Sequence, residues 1–213
     1  NFNNTLNLVI NSHVHLEKLN LLERNKVKPK VDAFIKNSNM DKNIAIKLTN
    51  VSFGYFGSEE LLFENLDLSF DKNIHTVVTG DNGSGKSTLL GLLSGILMPI
   101  DGSVECFSDR FAYVGATPLI INGTLKENLL YGNTIDIPDK EIFELIESYK
   151  LFADEEELIL DKKITNKSLS SGQMQKISFI RALLSNPKIL ILDESTSNLD
   201  LDSRKLINEQ LMK

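Results

Sequence analysis

Ten residues from Thr79 to Thr88, with the sequence TGDNGSGKST, constrain this chain more than any other stretch. They match the pattern G-x-x-x-x-G-K-[ST], in which glycines let the backbone fold back so that several N–H groups point at one phosphate chain. The run His75–Val78 predicts a strand before the loop, and leucines at helical spacing predict a helix from about Gly85. A glycine- and serine-rich turn without a ligand is the alternative, but it does not explain why strand, loop, lysine and helix occur together.

The loop residues have distinct expected roles if a nucleotide binds here. The helix that begins near Gly85 adds a partial positive charge, which favours an anion. Lys86 would reach the outer phosphates, and the hydroxyl of Ser87 would ligate Mg²⁺. The loop residues expected to contact the nucleotide are Gly80, Asp81, Asn82, Gly83, Ser84, Gly85, Lys86, Ser87 and Thr88.

A second stretch, Lys188–Glu194, is a continuous apolar run that ends in two carboxylates. Such a run is typical of a strand buried on both faces in a parallel sheet. Ligands of open α/β sheets bind beyond the carboxyl ends of the strands, where the phosphate loop also opens. We therefore expect Asp193 to be the acidic Mg²⁺ partner of Ser87, and Glu194 to be the base that orients water against the γ-phosphorus. A solvated pair of acids at a strand end is the alternative.

Composition limits the classes of protein to which the chain can belong. Its 213 residues suit one domain with an appendage, and 41% hydrophobic residues are enough for a core. The net charge of −6 does not favour a broad nucleic-acid surface, and the single cysteine, Cys106, excludes an internal disulfide framework. No apolar run approaches the roughly 18 residues of a membrane span. Because residue 1 is Asn, we expect a piece of a longer protein.

The chain changes character near residue 43. Apolar residues at roughly helical spacing predict a helix up to about Arg24, followed by a polar linker to Asp41. This helix is either a surface helix or the cytoplasmic end of a membrane helix. From Ile44 the pattern alternates with a period of two and predicts antiparallel strands, which enter an α/β core. Capping signals at Thr124 and Pro138 predict a mostly helical inserted subdomain over about residues 124–185.

The stretch Leu169–Gln173 reads LSSGQ. Ser170 and Gln173 predict a capping box for a helix that runs to Ser185. With the phosphate loop and the two acids, this stretch resembles the ATP-binding-cassette (ABC) family, whose signature is LSGGQ. The resemblance implies that Ser170, Gly172 and Gln173 contact the γ-phosphate held by a second cassette, so that two cassettes close head-to-tail over two ATP molecules.

The resemblance covers residues 44–213 and implies an α/β fold. The expected fold is a P-loop NTPase core with a parallel sheet flanked by helices, an antiparallel β entry subdomain and an inserted helical subdomain. By the same resemblance, Tyr55 stacks on adenine, with a core or turn aromatic as the alternative. Ser197–Asp200 resembles the segment that crosses the dimer interface. Asn122–Asn128 resembles a stretch of exporters with fused membrane domains, which favours the membrane-linked interpretation of residues 1–43.

Three departures from the family pattern bear on activity. Aligning Asn122–Thr124 with the family places Ala116 where a glutamine normally contacts Mg²⁺ and the attacking water. Ser171 replaces a glycine of the signature. The strand that precedes the family's switch histidine has no counterpart before Lys213, which should leave one side of the sheet open.

The sequence as a whole predicts the nucleotide-binding domain of an exporter-type ABC transporter. It would hydrolyse Mg·ATP in a dimer with a second cassette, on the cytoplasmic face of a membrane, with a transmembrane domain in the same polypeptide and no nucleic-acid partner. Two other interpretations stay open. One is a regulatory cassette that binds ATP and hydrolyses it weakly, which Ala116 favours. The other is a soluble ABC ATPase.

Overall fold

In a computed structural model of the chain, the described residues are 33–58, 60–133, 135–152, 159–195 and 199–211. The helix predicted near the start of the chain therefore lies outside the described residues, as do Ser197 and Asn198. The strands are β1 (Phe34–Lys36), β2 (Ile44–Phe53), β3 (Phe63–Asp71), β4 (Asp101–Cys106), β5 (Phe111–Val114), β6 (Gly123–Thr124), β7 (Lys163–Ile164) and β8 (Ile189–Leu192). The helices are α1 (Lys86–Leu93), α2 (Leu125–Leu129), α3 (Asp139–Ser148), α4 (Ser171–Leu184) and α5 (Leu201–Leu211).

Four strands form a mixed sheet in the order β1-β4-β2-β3. The antiparallel strands predicted from Ile44 onward are confirmed, because β2 runs antiparallel to both β3 and β4. The alternation in β2 buries Ile46 and Leu48 on one face and leaves Lys47 and Thr49 exposed on the other. Gly102 is the second residue of β4 and has a φ of 82°. A Cβ at this position would overlap the backbone carbonyl of Asn50 in β2. Only glycine therefore fits this close approach between strands.

A short strand forms within the stretch that the sequence predicted as a polar linker. β1 runs parallel to β4, and its ends are held by hydrogen bonds from Val104 N to Ala33 O (2.7 Å) and from Asn37 N to Cys106 O (2.8 Å). The Phe34 ring packs against Phe111 with the ring centroids 5.6 Å apart. Three residues are too few for periodicity to reveal a strand, so the linker prediction was wrong here because pairing with a distant edge decided the conformation.

The parallel pair β5–β8 connects the two halves of the described structure. Phe111 lies opposite Ile189, and Val114 lies opposite Leu192. Alternate residues of β8 face different buried clusters: Ile189 and Ile191 pack towards α1 and the mixed sheet, whereas Leu190 and Leu192 pack towards the helices. The prediction of an apolar strand with packing on both faces is therefore confirmed, although only Ile191 is fully buried.

The strand predicted at His75–Val78 does not form. Residues 74–80 have no regular secondary structure, and the side chain of Val77 is 81% exposed. A strand needs a neighbour that takes up its backbone N–H and C=O groups, and no strand of the described residues pairs with this segment. The apolar sequence has strand character, but within the described ranges the partner that would fix it is absent.

Three helices, α2, α3 and α4, lie within residues 124–185, and two of them begin at the capping signals that the sequence predicted. Thr124 caps α2 and Ser170 caps α4, each with a complete capping box, and α3 follows Pro138. The short antiparallel pair β6–β7 lies between them in the same region. Ile142 of α3 and Ile177 of α4 are fully buried in one cluster with residues of β5. The grouping of residues 124–185 as a separate subdomain stays a prediction.

No helix among the described residues is both long enough and apolar enough to span a bilayer.

Candidate functional site

The phosphate loop leads directly into α1. Gly83 and Gly85 have φ values of 82° and 92°, in the left-handed region that favours glycine. Gly85 is the residue before the helix, and no side chain caps the first backbone N–H groups of α1. These donors therefore remain available to an anion at the helix N-terminus.

Lys86 is the first residue of α1, and its side chain folds back over the loop. Its Nζ donates hydrogen bonds to the carbonyl oxygens of Gly80 (3.0 Å) and Asp81 (2.8 Å). These contacts hold the ammonium group at the mouth of the loop while leaving it partly open to solvent. Gly85, Lys86 and Ser87 line one cavity over the loop.

The carboxylate of Asp193 is held at both oxygens. Ser87 Oγ donates to Oδ1 at 2.9 Å, and Tyr113 Oη donates to Oδ2 at 2.9 Å. Asp193 follows β8 and is buried, and its backbone N–H bonds to Val114 O at 2.9 Å. Burial, reinforced by the hydrogen bond to Asp193, raises the pKa of Tyr113 to about 12, so the phenol stays protonated and remains a donor at neutral pH.

Ser87 and Asp193 are the residues best suited to a metal ion. Their oxygens are hard ligands, and Mg²⁺ is usually held in proteins by one or two carboxylates together with substrate phosphates. Within the described ranges, no three His, Cys, Asp or Glu side chains come together as a metal cluster.

A cavity of about 680 Å³ opens over the loop. Its volume lies within the range of about 300–1,000 Å³ that is usual for small-molecule sites. The lining residues are Tyr55, Ser58, Glu60, Leu61, Leu62, Asn82, Gly83, Gly85, Lys86, Ser87, Thr88 and Glu194. The structure therefore brings most of the sequence-predicted loop residues, the aromatic residue and the predicted base to one cavity.

Tyr55 forms the aromatic wall of this cavity. Its side chain is 54% exposed, and its hydroxyl is 2.7 Å from Thr88 Oγ1. The ring meets Phe53 edge-to-face, with centroids 5.2 Å apart and an interplanar angle of 86°. The hydroxyl contact and the contact with Phe53 restrain the ring, and about half of its surface stays open to the cavity side and to a planar ligand.

Glu194 also lines the cavity, in an unusual backbone conformation. Its φ is 48°, although it is neither glycine nor asparagine. The left-handed conformation costs a residue with a Cβ about 1–2 kcal/mol. Residues held in this way are concentrated at functional sites, where the surrounding structure maintains the strain. The turn after β8 thus separates Asp193, which is buried towards Ser87, from Glu194, which is exposed towards the cavity.

The signature residues lie elsewhere. Ser170, Gly172 and Gln173 line a second cavity of about 450 Å³ together with Lys150, Lys176 and Asp200, and the two cavities share no lining residue. Ser170 Oγ accepts from Gln173 N (3.1 Å), and Gln173 Oε1 accepts from Ser170 N (2.8 Å). The capping box therefore leaves the hydroxyl proton of Ser170 available as a donor.

The segment after β5 contains Ala116, which is exposed. The preceding carbonyl, that of Gly115, accepts a hydrogen bond from Gln175 Nε2 at 3.2 Å. Gln175 is buried within α4, so this bond ties the segment to the helix that begins at the signature. Ala116 is not among the residues that line either cavity.

Sequence reasoning did not identify Tyr113 as part of the site. The available signal was its position in a strand parallel to β8, two residues after Phe111. Side chains of a strand alternate between faces, so Phe111 and Tyr113 share the face of the sheet that packs towards α1. That signal requires the pairing register, which the sequence alone does not supply.

The amino-acid sequence matches a protein family model and many known transport proteins. A family model described as "ABC transporter" matches residues 63–197. ABC transporter B family member 17 of Arabidopsis thaliana is 33% identical over 187 residues, which cover 78% of this chain and 15% of that protein. The lactococcin-A transport/processing ATP-binding protein LcnC of Lactococcus lactis subsp. lactis is 34% identical over 183 residues, which cover 78% of this chain and 26% of that protein. The chain thus spans about a quarter or less of the length of these relatives.

Proposed function

Because the chain belongs to the ABC transporter family of ATPases and forms a nucleotide-binding domain of that family, we propose that it binds Mg·ATP over the Gly80–Thr88 loop. We propose further that it hydrolyses ATP to ADP and phosphate, and that this reaction powers transport by a membrane protein. The observation that carries the proposal is that Lys86, Ser87, Glu194 and Tyr55 line one cavity.

Phosphate binding in this proposal relies on charge and on backbone donors. Lys86 would exchange its two loop carbonyls for β- and γ-phosphate oxygens, since an ammonium–phosphate contact is stronger than one to a neutral carbonyl. The uncapped N–H groups of α1 would bond the same phosphates. Phosphoryl transfer depends mostly on positioning and electrostatic stabilisation, so these groups would provide much of the rate enhancement.

Ser87 and Asp193 would hold Mg²⁺, which when bound would neutralise negative charge on the phosphates. Glu194 would accept a hydrogen bond from the attacking water and orient it towards the γ-phosphorus. Its left-handed backbone supports this role because the turn directs its side chain into the cavity rather than along the strand. Tyr55 would stack on adenine with its accessible face.

The signature residues would act on a second cassette. Ser170, Gly172 and Gln173 line a different cavity from the phosphate loop, so we propose that they contact a nucleotide held by a partner. In a head-to-tail dimer, the Ser170 hydroxyl and the N-terminus of α4 would meet the γ-phosphate held by the partner. Closing the dimer would then complete each site and reopening it would release product. The partner would be a second cassette, identical or different.

The wider assembly is proposed from the relatives. The Arabidopsis and Lactococcus proteins are transport proteins by name, and each is several times longer than this chain. We infer that the cassette works with a transmembrane domain, in the same polypeptide, at the cytoplasmic face of a membrane. These relatives do not favour the soluble ATPase alternative. The weakly hydrolysing cassette keeps one observation in its favour, the methyl group of Ala116 in place of a carboxamide.

The test of the proposal is nucleotide binding by Lys86→Ala in the full-length protein. Removing the ammonium should weaken Mg·ATP binding by about 10- to 100-fold, the range that corresponds to about 1.5–3 kcal/mol for a hydrogen bond to a charged group. Lys126→Ala is the matched control, because Lys126 is a surface lysine paired with Asp139 (2.6 Å) and lies outside the cavity. Calorimetric titration that gave equal affinities for the parent and Lys86→Ala would refute the assignment of the site.

A further inference from the structure

Tyr113 contacts the proposed metal site from outside the phosphate loop. Its hydroxyl donates to Asp193 Oδ2, while Ser87 donates to Oδ1, both at 2.9 Å. The two oxygens of one carboxylate are therefore held by hydroxyl groups from β5 and from α1. Such a paired arrangement restricts rotation of the carboxylate in a way that a single hydrogen bond does not.

We propose that Tyr113 is a positioning residue that holds the Asp193 carboxylate with Oδ1 directed at Ser87 and the Mg²⁺ position. The inference rests on the proposed Mg·ATP site and extends it to a residue in the neighbouring strand. Tyr113 does not touch the nucleotide in this proposal. It acts by fixing the orientation of a metal ligand, as outer-shell hydrogen bonds commonly do.

The sheet geometry accounts for the contact. Tyr113 lies opposite Ile191 in the parallel pair, and the backbone N–H of Asp193 bonds to Val114 O at 2.9 Å. With alternation along each strand, Tyr113 and Asp193 extend from the same face of the pair. Strand pairing therefore fixes the backbone at Asp193, and the hydrogen bond from the Tyr113 hydroxyl restricts rotation of the Asp193 carboxylate.

The two oxygens of the Asp193 carboxylate have different partners, so the proposed role of Tyr113 concerns the metal site. When Ser87 Oγ and Asp193 Oδ1 turn to a cation, Oδ2 can keep its bond to Tyr113, so metal binding need not break the contact that orients the ligand. A phenylalanine would fill the same space and leave Oδ2 without this donor. Loss of the hydroxyl should therefore weaken Mg²⁺ binding and leave the direct phosphate contacts of Lys86 unchanged.

The experiment compares the full-length protein with its Tyr113→Phe variant, both in a Glu194→Gln background that suppresses turnover. ATP affinity is measured by calorimetry in EDTA and across a Mg²⁺ titration. We expect equal affinity in EDTA and an increase of about 10-fold in the Mg²⁺ concentration needed for half-maximal effect. This is the low end of the roughly 10- to 100-fold cost of losing an outer-shell partner, because Tyr113 is 37% exposed and water can replace part of the bond.

Tyr131→Phe is the matched control, since it removes the same atom from a ring that lies 5.9 Å from the Arg181 guanidinium and outside both cavities. A parent that bound ATP with no dependence on Mg²⁺ would refute the proposed metal site itself. A parent with normal Mg²⁺ dependence, unchanged in Tyr113→Phe, would overturn only the role of Tyr113. Equal losses with and without Mg²⁺ would also overturn it, because they would indicate a general structural effect. If Tyr113→Phe did not fold, Tyr113→Leu would be measured in the same way, with the same outcomes.

Discussion

The left-handed backbone of Glu194 makes an unusual prediction about stability. At φ = 48° a Cβ is strained by about 1–2 kcal/mol, whereas glycine adopts this conformation without that cost. Glycine loses about 0.5–1 kcal/mol more backbone entropy on folding than alanine does. The difference leaves Glu194→Gly more stable than Glu194→Ala by about 0.5–1 kcal/mol, although both variants lose the carboxylate.

Comparing two variants at one position removes the other contributions of the side chain, because both lack every contact of the carboxylate. The assay is urea unfolding of the two proteins, with the difference in the free energy of unfolding taken from the midpoints. Thermal unfolding gives a second readout, because a difference of 1 kcal/mol corresponds to a shift of about 2–4 °C in Tm for a domain of this size. Both variants should have lost steady-state phosphate release, because both lack the Glu194 carboxylate.

An exposed position in a helix gives the control with the opposite sign. At Glu144, within α3, glycine should be less stable than alanine by about 1 kcal/mol. Both variants there lose the same ion pair with Lys140. If Glu194→Gly were no more stable than Glu194→Ala, while the Glu144 pair behaved as expected, the turn after β8 would not be strained and the argument from backbone conformation would be refuted.

Two further predictions concern binding and turnover at the same cavity. Tyr55→Ala should weaken ATP binding by about 1–3 kcal/mol, the scale of base–aromatic stacking. Tyr55→Phe should lose only the hydroxyl contact with Thr88 and retain most of the affinity. If titration with a fluorescent nucleotide gave equal affinities for Tyr55→Ala and the parent, Tyr55 would have a packing role only. Ala116→Gln should raise steady-state phosphate release and leave ATP affinity nearly unchanged, because we expect a carboxamide there to act on the attacking water, and one positioned polar group is commonly worth ~10²-fold in rate. Glu194→Gln is the inactive control, and a variant with no gain would show that another group holds the water.

Local chemistry accounts for much of what the sequence predicted correctly. The capping boxes at Thr124 and Ser170 formed as predicted, because each needs only four consecutive residues to satisfy its own N–H groups. The left-handed glycines of the phosphate loop and the start of α1 at Lys86 are local for the same reason. The contact between Ser87 and Asp193 spans 106 residues, but it was predicted from the rule that ligands collect at the carboxyl ends of strands.

Only the tertiary structure decided the features that depend on a partner strand. The apolar run His75–Val78 has strand character, yet it stays irregular because no described strand pairs with it, whereas Phe34–Lys36 becomes a strand because β4 offers it a free edge. Tyr113 reaches Asp193 only because the register of β5 and β8 places them on one face. The sequence by itself therefore determined the elements whose hydrogen bonds close within a few residues. Strand pairing and the contacts that follow from it depend on chain segments far apart in sequence, so they were decided only when the chain folded.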